Sequence, residues 1–437
     1  CFLSRENEDV LMIHKYKLNG FNIVLDVNSG GVHIVDDATY DMLSYIEPPL
    51  SDEIPQDVLK ALSALYSEEE LRDAYHEILT LYHEDVLFSS DDYEKFADMM
   101  VSAPIKSMCL HVAHDCNLRC KYCFASTGDF GEGRKLLDAE TGKKAIDFLL
   151  KHSKGRRNLE LDFFGGEPLM NMPVIKEVVE YARSKEAAYN KKFRFTVTTN
   201  GILLNDEITD YLNREMYNIV LSIDGRKEVN DKMRPGINGK GSYDVILPKF
   251  KDLVAKRQEG QYYVRGTFTK YNLDFAQDVL HLHDAGFDQI SVEPVVTDPK
   301  NDYALTEQDL PRIFAEYETL AKALIERKKK GNGFNFFHFM IDLDQGPCAI
   351  KRLRGCGCGN EYVAVTPDGD IYPCHQFVGM EEFKMGSVLD DTLNTAMKDE
   401  FARANVYTKE ECKNCWAKFY CSGGCNANNF QYAGDIH

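Results

Sequence analysis

No stretch of this 437-residue chain approaches the ~20 consecutive apolar residues that a membrane-spanning helix needs. No basic, apolar and small-residue succession of the secretory type opens it either, so neither a membrane nor an export route is expected. Basic residues are in deficit. The 51 Lys and Arg against 70 Asp and Glu leave a formal charge of -19, a field that repels phosphates and argues against a nucleic-acid partner. Tryptophan is nearly absent, with one residue at Trp416. Cysteine is scarce over most of the length. Of the 13, only Cys1, Cys109, Cys116, Cys120 and Cys123 precede the eight that begin at Cys348. A disulfide scaffold would be short and secreted, whereas a long chain with clustered cysteines reads as metal-binding. Exposed clusters of that kind are destroyed by oxygen, which points to a reducing, anaerobic cytoplasm. What is present is ordinary: 44% hydrophobic and 28% charged residues, enough chain for two or three domains with ample core.

The organising stretch is Cys116-Asn117-Leu118-Arg119-Cys120-Lys121-Tyr122-Cys123, or C-x-x-x-C-x-x-C on a loop after an apolar strand. Three thiolates at that spacing can hold three irons of a [4Fe–4S] cluster and leave the fourth iron open. A zinc knuckle would pair its cysteines as C-x-x-C with a second pair further on. The spacing resembles the cluster loop of the radical S-adenosylmethionine (radical SAM) superfamily. The resemblance implies that Cys116, Cys120 and Cys123 bind the cluster. It also implies that SAM chelates the open iron and is cleaved to a 5′-deoxyadenosyl radical, and that Tyr122 touches adenine.

Residues 105–295 alternate strands with amphipathic helices. Strands are expected at Ser107–His114, Leu159–Phe164, Phe193–Thr198, Ile219–Ile223, Tyr262–Phe268 and Gln289–Glu293, with helices near 139–152, 171–184, 206–213, 243–257 and 274–285. The family likeness implies a partial (β/α)6 TIM-like barrel with its chemistry at the C-terminal strand ends. Gly165-Gly166-Glu167-Pro168 follows the second strand and resembles the family's contact to the methionine ammonium. Thr199, Asn200, Ser222 and Asp224 end the third and fourth strands and resemble the ribose and carboxylate contacts. Arg265, a cation in an apolar run, needs an anion, and the likeness assigns it the methionine carboxylate. Apolar residues after Glu293 are expected over adenine, and Cys109 is expected as a small buried hydrophobe.

Residues 12–88 read as three strands (Ile13–Leu18, Phe21–Val27, Val32–Val35) and three helices, the last opened by the capping box Ser67–Glu70. This resembles the winged-helix RiPP recognition element, which binds leader peptides by adding them as a strand beside its third strand. Residues 1–11 read as an extension before Met12. Residues 89–104 read as a linker. Residues 296–345 are expected to be a bridging region with a long charged helix and an aromatic run, Phe334 to Phe339.

Residues 346–437 hold the remaining cysteines, with a short hairpin around Pro367-Asp368-Gly369-Asp370. Their pattern resembles the SPASM extension, which binds two auxiliary [4Fe–4S] clusters, for a total of three with the SAM-binding one. The likeness gives Cys356, Cys374 and Cys425 to the first auxiliary cluster, with Cys348 or Cys358 as fourth ligand, and Cys412, Cys415 and Cys421 to the second. The order of modules resembles the peptide maturases that form Cys-sulfur to α-carbon thioethers (the SCIFF group). It implies a Cys-rich precursor peptide, a flavodoxin- or ferredoxin-type electron donor, and catalytic roles for Cys374 and His375. Anaerobic sulfatase maturases share the barrel and SPASM parts. They lack the leader module, and they carry an aspartate base where this chain has His375.

Overall fold

The computed structural model describes residues 12–97, 101, 103–341 and 349–437, without the side chains of 349–351. Cys1, the 1–11 extension and Cys348 lie outside the described residues. The chain forms two compact units, one of residues up to 102 with 341–357 and 402–437, the other of 103–340 and 358–401.

The first unit starts with an antiparallel meander of β1 (Ile13–Leu18), β2 (Phe21–Asp26) and β3 (Val32–Val35). Asn19 and Gly20, both with positive φ, make the two-residue turn that matches strand twist. At the next turn the buried Asp26 carboxylate accepts from the backbone N–H groups of Ser29 (2.9 Å) and Ser89 (3.0 Å). Helix α1 (Asp37–Met42) is capped by Asp36, α2 spans Gln56–Leu62, and α3 (Glu68–His83) opens on the expected capping box. The sequence pattern suggests helices over about 37–46 and 55–66, and α1 and α2 end earlier because each last turn unwinds into hydrogen-bonded turns that no residue type marks. Leu71, Tyr75 and Ile78 of α3 bury against Met42, Leu62 and Val24. A second core joins Leu25 and Val27 to Leu353, Val406 and Phe419, so residues 402–437 pack into the same unit as the meander. There the buried Lys418 ammonium pairs with Asp91 at 2.8 Å, and Tyr407 donates to Asp91 at 2.5 Å. His14 stacks on Trp416 with ring centroids 4.1 Å apart. A four-residue helix, α4 (Glu94–Ala97), lies in the linker.

The second unit is one sheet. In chain order its strands are β4 (Ser107–His114), β5 (Lys135–Leu136), β6 (Asn158–Gly165), β7 (Lys192–Thr199), β8 (Asn218–Ser222), β9 (Gln261–Phe268), β10 (Gln289–Pro294), β11 (Asn335–Phe336), β12 (Tyr362–Val365), β13 (Asp370–Tyr372), β14 (Gly386–Ser387) and β15 (Thr392–Leu393). Their order across the sheet is β11-β10-β9-β8-β7-β6-β4-β12-β13-β14-β15, with β5 on β4. The expected six strands are all present and parallel. Two more extend the parallel run, β11 beside β10 and β12 beside β4. A two-residue strand has no alternation to read. Strand β12 is held by something equally silent in a sequence pattern: the buried Glu361 carboxylate takes Lys106 (3.1 Å) and Arg156 (2.7 Å). Helices α5 (Ala139–His152), α6 (Met172–Tyr189), α7 (Asp206–Glu215), α8 (Lys227–Met233), α9 (Tyr243–Lys256), α10 (Phe275–Asp284) and α11 (Leu310–Lys329) intervene. Alternate strand residues, among them Leu110, Phe163, Phe195, Leu221, Val264 and Val292, pack with residues of these helices in one core. The intervening residues occupy the other face, where the site lies. In the aromatic run Phe334 and Phe336 join the core, whereas Phe337 and Phe339 are exposed.

Candidate active site

The loop after β4 is held by the segment that follows α8. Leu118 bridges Gly236, Arg119 N–H donates to Pro235 O (2.7 Å) and Lys121 N–H to Met233 O (2.9 Å). Glycines let the next strand end approach. A Cβ on Gly166 would stand 2.2 Å from Asp115 O, one on Gly165 2.2 Å from Ala113 O, and one on Gly128 2.7 Å from Cys116 Cβ. The thiols of Cys116, Cys120 and Cys123 feel one another electrostatically, and burial pushes Cys116 up to about 12 and Cys120 up to about 11. Such thiols give up their protons only to a strong positive charge, which an iron centre supplies. A [4Fe–4S] cluster binds each thiolate to a different iron, and three mutually interacting thiols on one loop are the donor set that fits it.

Glu167 is fully buried at the start of the turn after β6. Its carboxylate accepts from the Thr199 hydroxyl (2.7 Å), Leu169 N–H (3.0 Å) and Asn200 N–H (2.8 Å). Burial outweighs these bonds and pushes its pKa up to about 7. A carboxylate has about four acceptor positions, so one remains for a bound cation. Asn200 donates from its side chain to Asn117 Oδ1 (2.8 Å) and approaches Cys116 Sγ at 3.6 Å, which ties the end of β7 to the cluster loop.

Asp224 is the second hub. Fully buried, it accepts from the Tyr122 hydroxyl (2.7 and 2.8 Å), Arg234 Nε (2.9 Å) and Thr267 N–H (2.9 Å). Arg234 lies over the Tyr122 ring at 5.4 Å and works against the burial that raises Cys120. Sequence reasoning missed Arg234. It follows a helix in no motif, and only the fold brings it beside the loop. Ser222 ends β8 in register with Arg265 of β9. Arg265 is half exposed rather than buried, and its anion is Glu293 of β10, with Nε to Oε1 at 2.9 Å and a second, parallel contact to Oε2.

His375 sits between Phe124 (5.3 Å) and Phe164 (5.0 Å), with the Tyr362 hydroxyl 3.4 Å from Nδ1. Burial pushes its pKa down to about 4, so the imidazole is neutral near pH 7 and able to accept a proton. Cys374 hydrogen-bonds Cys358, which lowers its pKa and places Cys358 beside it. Cys109 is buried as expected, with its thiol on Tyr362. A further pair passed unnoticed in the sequence: His111 Nδ1 and His114 Nε2 meet at 3.0 Å in full burial. Cys356, Cys412, Cys415, Cys421 and Cys425 belong to the first unit. There Cys412 feels Cys421 and Cys415, and all lie close in sequence to the buried Lys409.

Comparison with known proteins agrees with both constellations. Residues 107–247 match the family model of a 4Fe-4S single cluster domain. Residues 356–416 match the SPASM iron-sulfur cluster-binding domain. A cysteine-type anaerobic sulfatase-maturating enzyme of Clostridium novyi is 26% identical over 72% of this chain and 86% of its own length. The radical SAM cyclopropyl synthase TigE of Paramaledivibacter caminithermalis is 21% identical over 93% of this chain and 86% of its own length. The crystal structure of Streptococcus suis SuiB bound to its precursor peptide SuiA shares the fold. Its TM-score is 0.52 at 18% identity, covering 96% of each chain.

Proposed function

The chain belongs to the radical SAM/SPASM peptide maturases, and from that premise we propose that it joins a cysteine sulfur to an α-carbon within a ribosomally made, cysteine-rich peptide. The observation that carries this reading is the N-terminal meander. Among the described residues the outer edge of β3 pairs with no strand, and Ile34 on it is 68% exposed. An extended leader would add there, its main chain completing the ladder and its side chains reading the apolar face. The winged-helix leader-binding role of residues 12–88 is part of the proposal.

When bound, the clusters and SAM supply hydrogen-atom abstraction and electron transfer. The chain's own residues do the rest. Glu167 offers its remaining acceptor position to the SAM ammonium, with Thr199 and Asn200 fixing the carboxylate. Asp224 holds Tyr122 and Arg234 against the cluster loop. Ser222 and Arg265 lie where the methionine carboxylate or the peptide approaches, with Glu293 holding the Arg265 guanidinium in place. His375, neutral and close to Cys374, takes the thiol proton. No described helix is long and apolar enough to cross a membrane. The anaerobic cytoplasm and a flavodoxin or ferredoxin donor complete the proposal.

The second reading is formylglycine formation from a Cys or Ser, favoured by the likeness to the sulfatase-maturating enzyme. One experiment separates them. Reconstituted protein, SAM and dithionite are incubated anaerobically with a cysteine-rich candidate precursor peptide, and the mass of the peptide is measured. Loss of two hydrogens per event, with loss of an alkylatable thiol and no disulfide, is the expected result. An unchanged peptide beside strong 5′-deoxyadenosine production, with aldehyde formed on a sulfatase peptide, would replace the thioether reading with the second.

A further inference from the structure

The segment that carries the last four cysteines buries an ammonium. Lys409 is 5% exposed. Its Nζ donates to Gly423 O at 2.9 Å and Asn426 Oδ1 at 3.1 Å. An ammonium has three protons, so among the described residues one is left over. The stem is held in place. Gly423 has a positive φ, and a Cβ on it would stand 3.3–3.6 Å from the Cδ, Cε and Nζ of Lys409. Burial pulls the pKa of this ammonium down, and the acidic groups that face it and push the other way are the thiols of Cys412, Cys421 and Cys425 and, last in effect, the carboxylate of Asp435. The neighbouring Lys418 is equally buried but has Asp91 at 2.8 Å. A buried cation without its own anion costs several kcal/mol. Its retention calls for a negative group that arrives later, and thiolates around iron are such a group.

We propose that Lys409 is a positioning residue for the auxiliary cluster of Cys412, Cys415 and Cys421, placing a fixed positive charge and a free N–H beside it and so raising its reduction potential. An electron added to an iron–sulfur cluster adds one negative charge, and the potential follows net charge and hydrogen bonds to sulfur. The ammonium lowers the cost of that charge and itself gains and loses nothing. This rests on the reading of these cysteines as cluster ligands.

The test uses the full chain, reconstituted anaerobically, with Cys116, Cys120 and Cys123 changed to Ala so that only auxiliary clusters give a signal. Wild-type Lys409, Lys409→Met and Lys409→Arg are compared by iron and sulfide content and by a dithionite titration followed by electron paramagnetic resonance. The expected result is full iron in all three and a tenfold smaller reduced fraction in Lys409→Met at a fixed potential. That is a midpoint about 59 mV lower for one electron, with Lys409→Arg close to wild type. Loss of one cluster from Lys409→Met alone, with Lys409→Arg intact at the wild-type midpoint, also supports the charge role. An unchanged midpoint with full iron in Lys409→Met overturns it. So does loss of iron from both variants, which leaves only a packing role. Failure of the underlying reading is distinct: the wild-type Lys409 protein in this background would then hold the iron of one auxiliary cluster instead of two, and the proposal would fall with it.

Discussion

Two loops of this chain carry three close cysteines, and they treat their cation in opposite ways. Around Cys116, Cys120 and Cys123 the cation is Arg234, and its charge is already committed to Asp224, which also holds Tyr122. Around Cys412, Cys415 and Cys421 the cation is Lys409, bonded only to neutral oxygens. The buried cation of the first loop is thus neutralised before any ligand arrives, Arg119 donates to the carbonyls of Cys116 and Leu118 at the loop's part-buried edge, and Glu167 keeps one open acceptor. The second is left positive. A site that must bind a zwitterion such as SAM gains from internal neutrality. A site that must store an electron gains from unspent positive charge.

The comparison can be broken most severely at the first loop. Cys120→Ala should abolish SAM cleavage, lowering 5′-deoxyadenosine formation by at least about 10³-fold, while the auxiliary iron stays in place. Retention of cleavage would remove the loop from the chemistry. Next in size is the ion pair that joins residues 402–437 to the linker segment at Asp91. Asp91→Asn strands the buried Lys418 ammonium and should cost about 3–5 kcal/mol in denaturant unfolding of the first unit, with the Cys116 loop untouched. Arg234→Met should retain cluster iron but lower SAM cleavage about 10–100-fold, the range for residues that orient ligands from behind. An equal loss of iron would show that Arg234 builds the loop rather than tunes it.

The smallest effect concerns a group the fold holds at a loss. Asp162, on the open face of β6, has its pKa raised to about 6 by burial and by Glu160. A raised carboxyl contributes stability only below its unfolded value of about 3.9, and loses it as pH rises through 6. Asp162→Asn should therefore stabilise the apo second unit at pH 7 by roughly 3 kcal/mol and by little at pH 4. The check is thermal unfolding at both pH values, and a pH-independent difference would contradict this assignment.

The repeating part of the architecture was legible because it is written in local pattern. The strand from Ser107 to His114 and the helix from Ala139 to His152 fall where periodicity puts them. The cysteine spacing and Gly165-Gly166-Glu167 are equally local signals. What escaped was made by distance. Arg234 reaches Tyr122 across 112 residues of chain, as the numbering of the two shows. Glu361 fixes β12 against β4 across 255. Arg265 looked like a buried cation in search of a ligand because Glu293, its partner on the next strand, carries no mark of pairing. Lys409 looks like any surface lysine until the turn at Gly423 folds over it.

The way the first unit is assembled has a consequence for synthesis. Its meander lies near the start of the chain, yet the residues that cover Leu25 and Val27 begin to arrive with Leu353 and finish with Phe419. Translation at ~5–20 residues per second leaves that apolar face open for roughly 20–80 s after it emerges, while the whole second unit is being made in between. The parallel sheet can close first, and the first unit is finished last. A nascent chain at this stage exposes a β-sheet face and edge in search of a strand, and it is in that interval, rather than in the mature enzyme, that this protein is most exposed to misassembly.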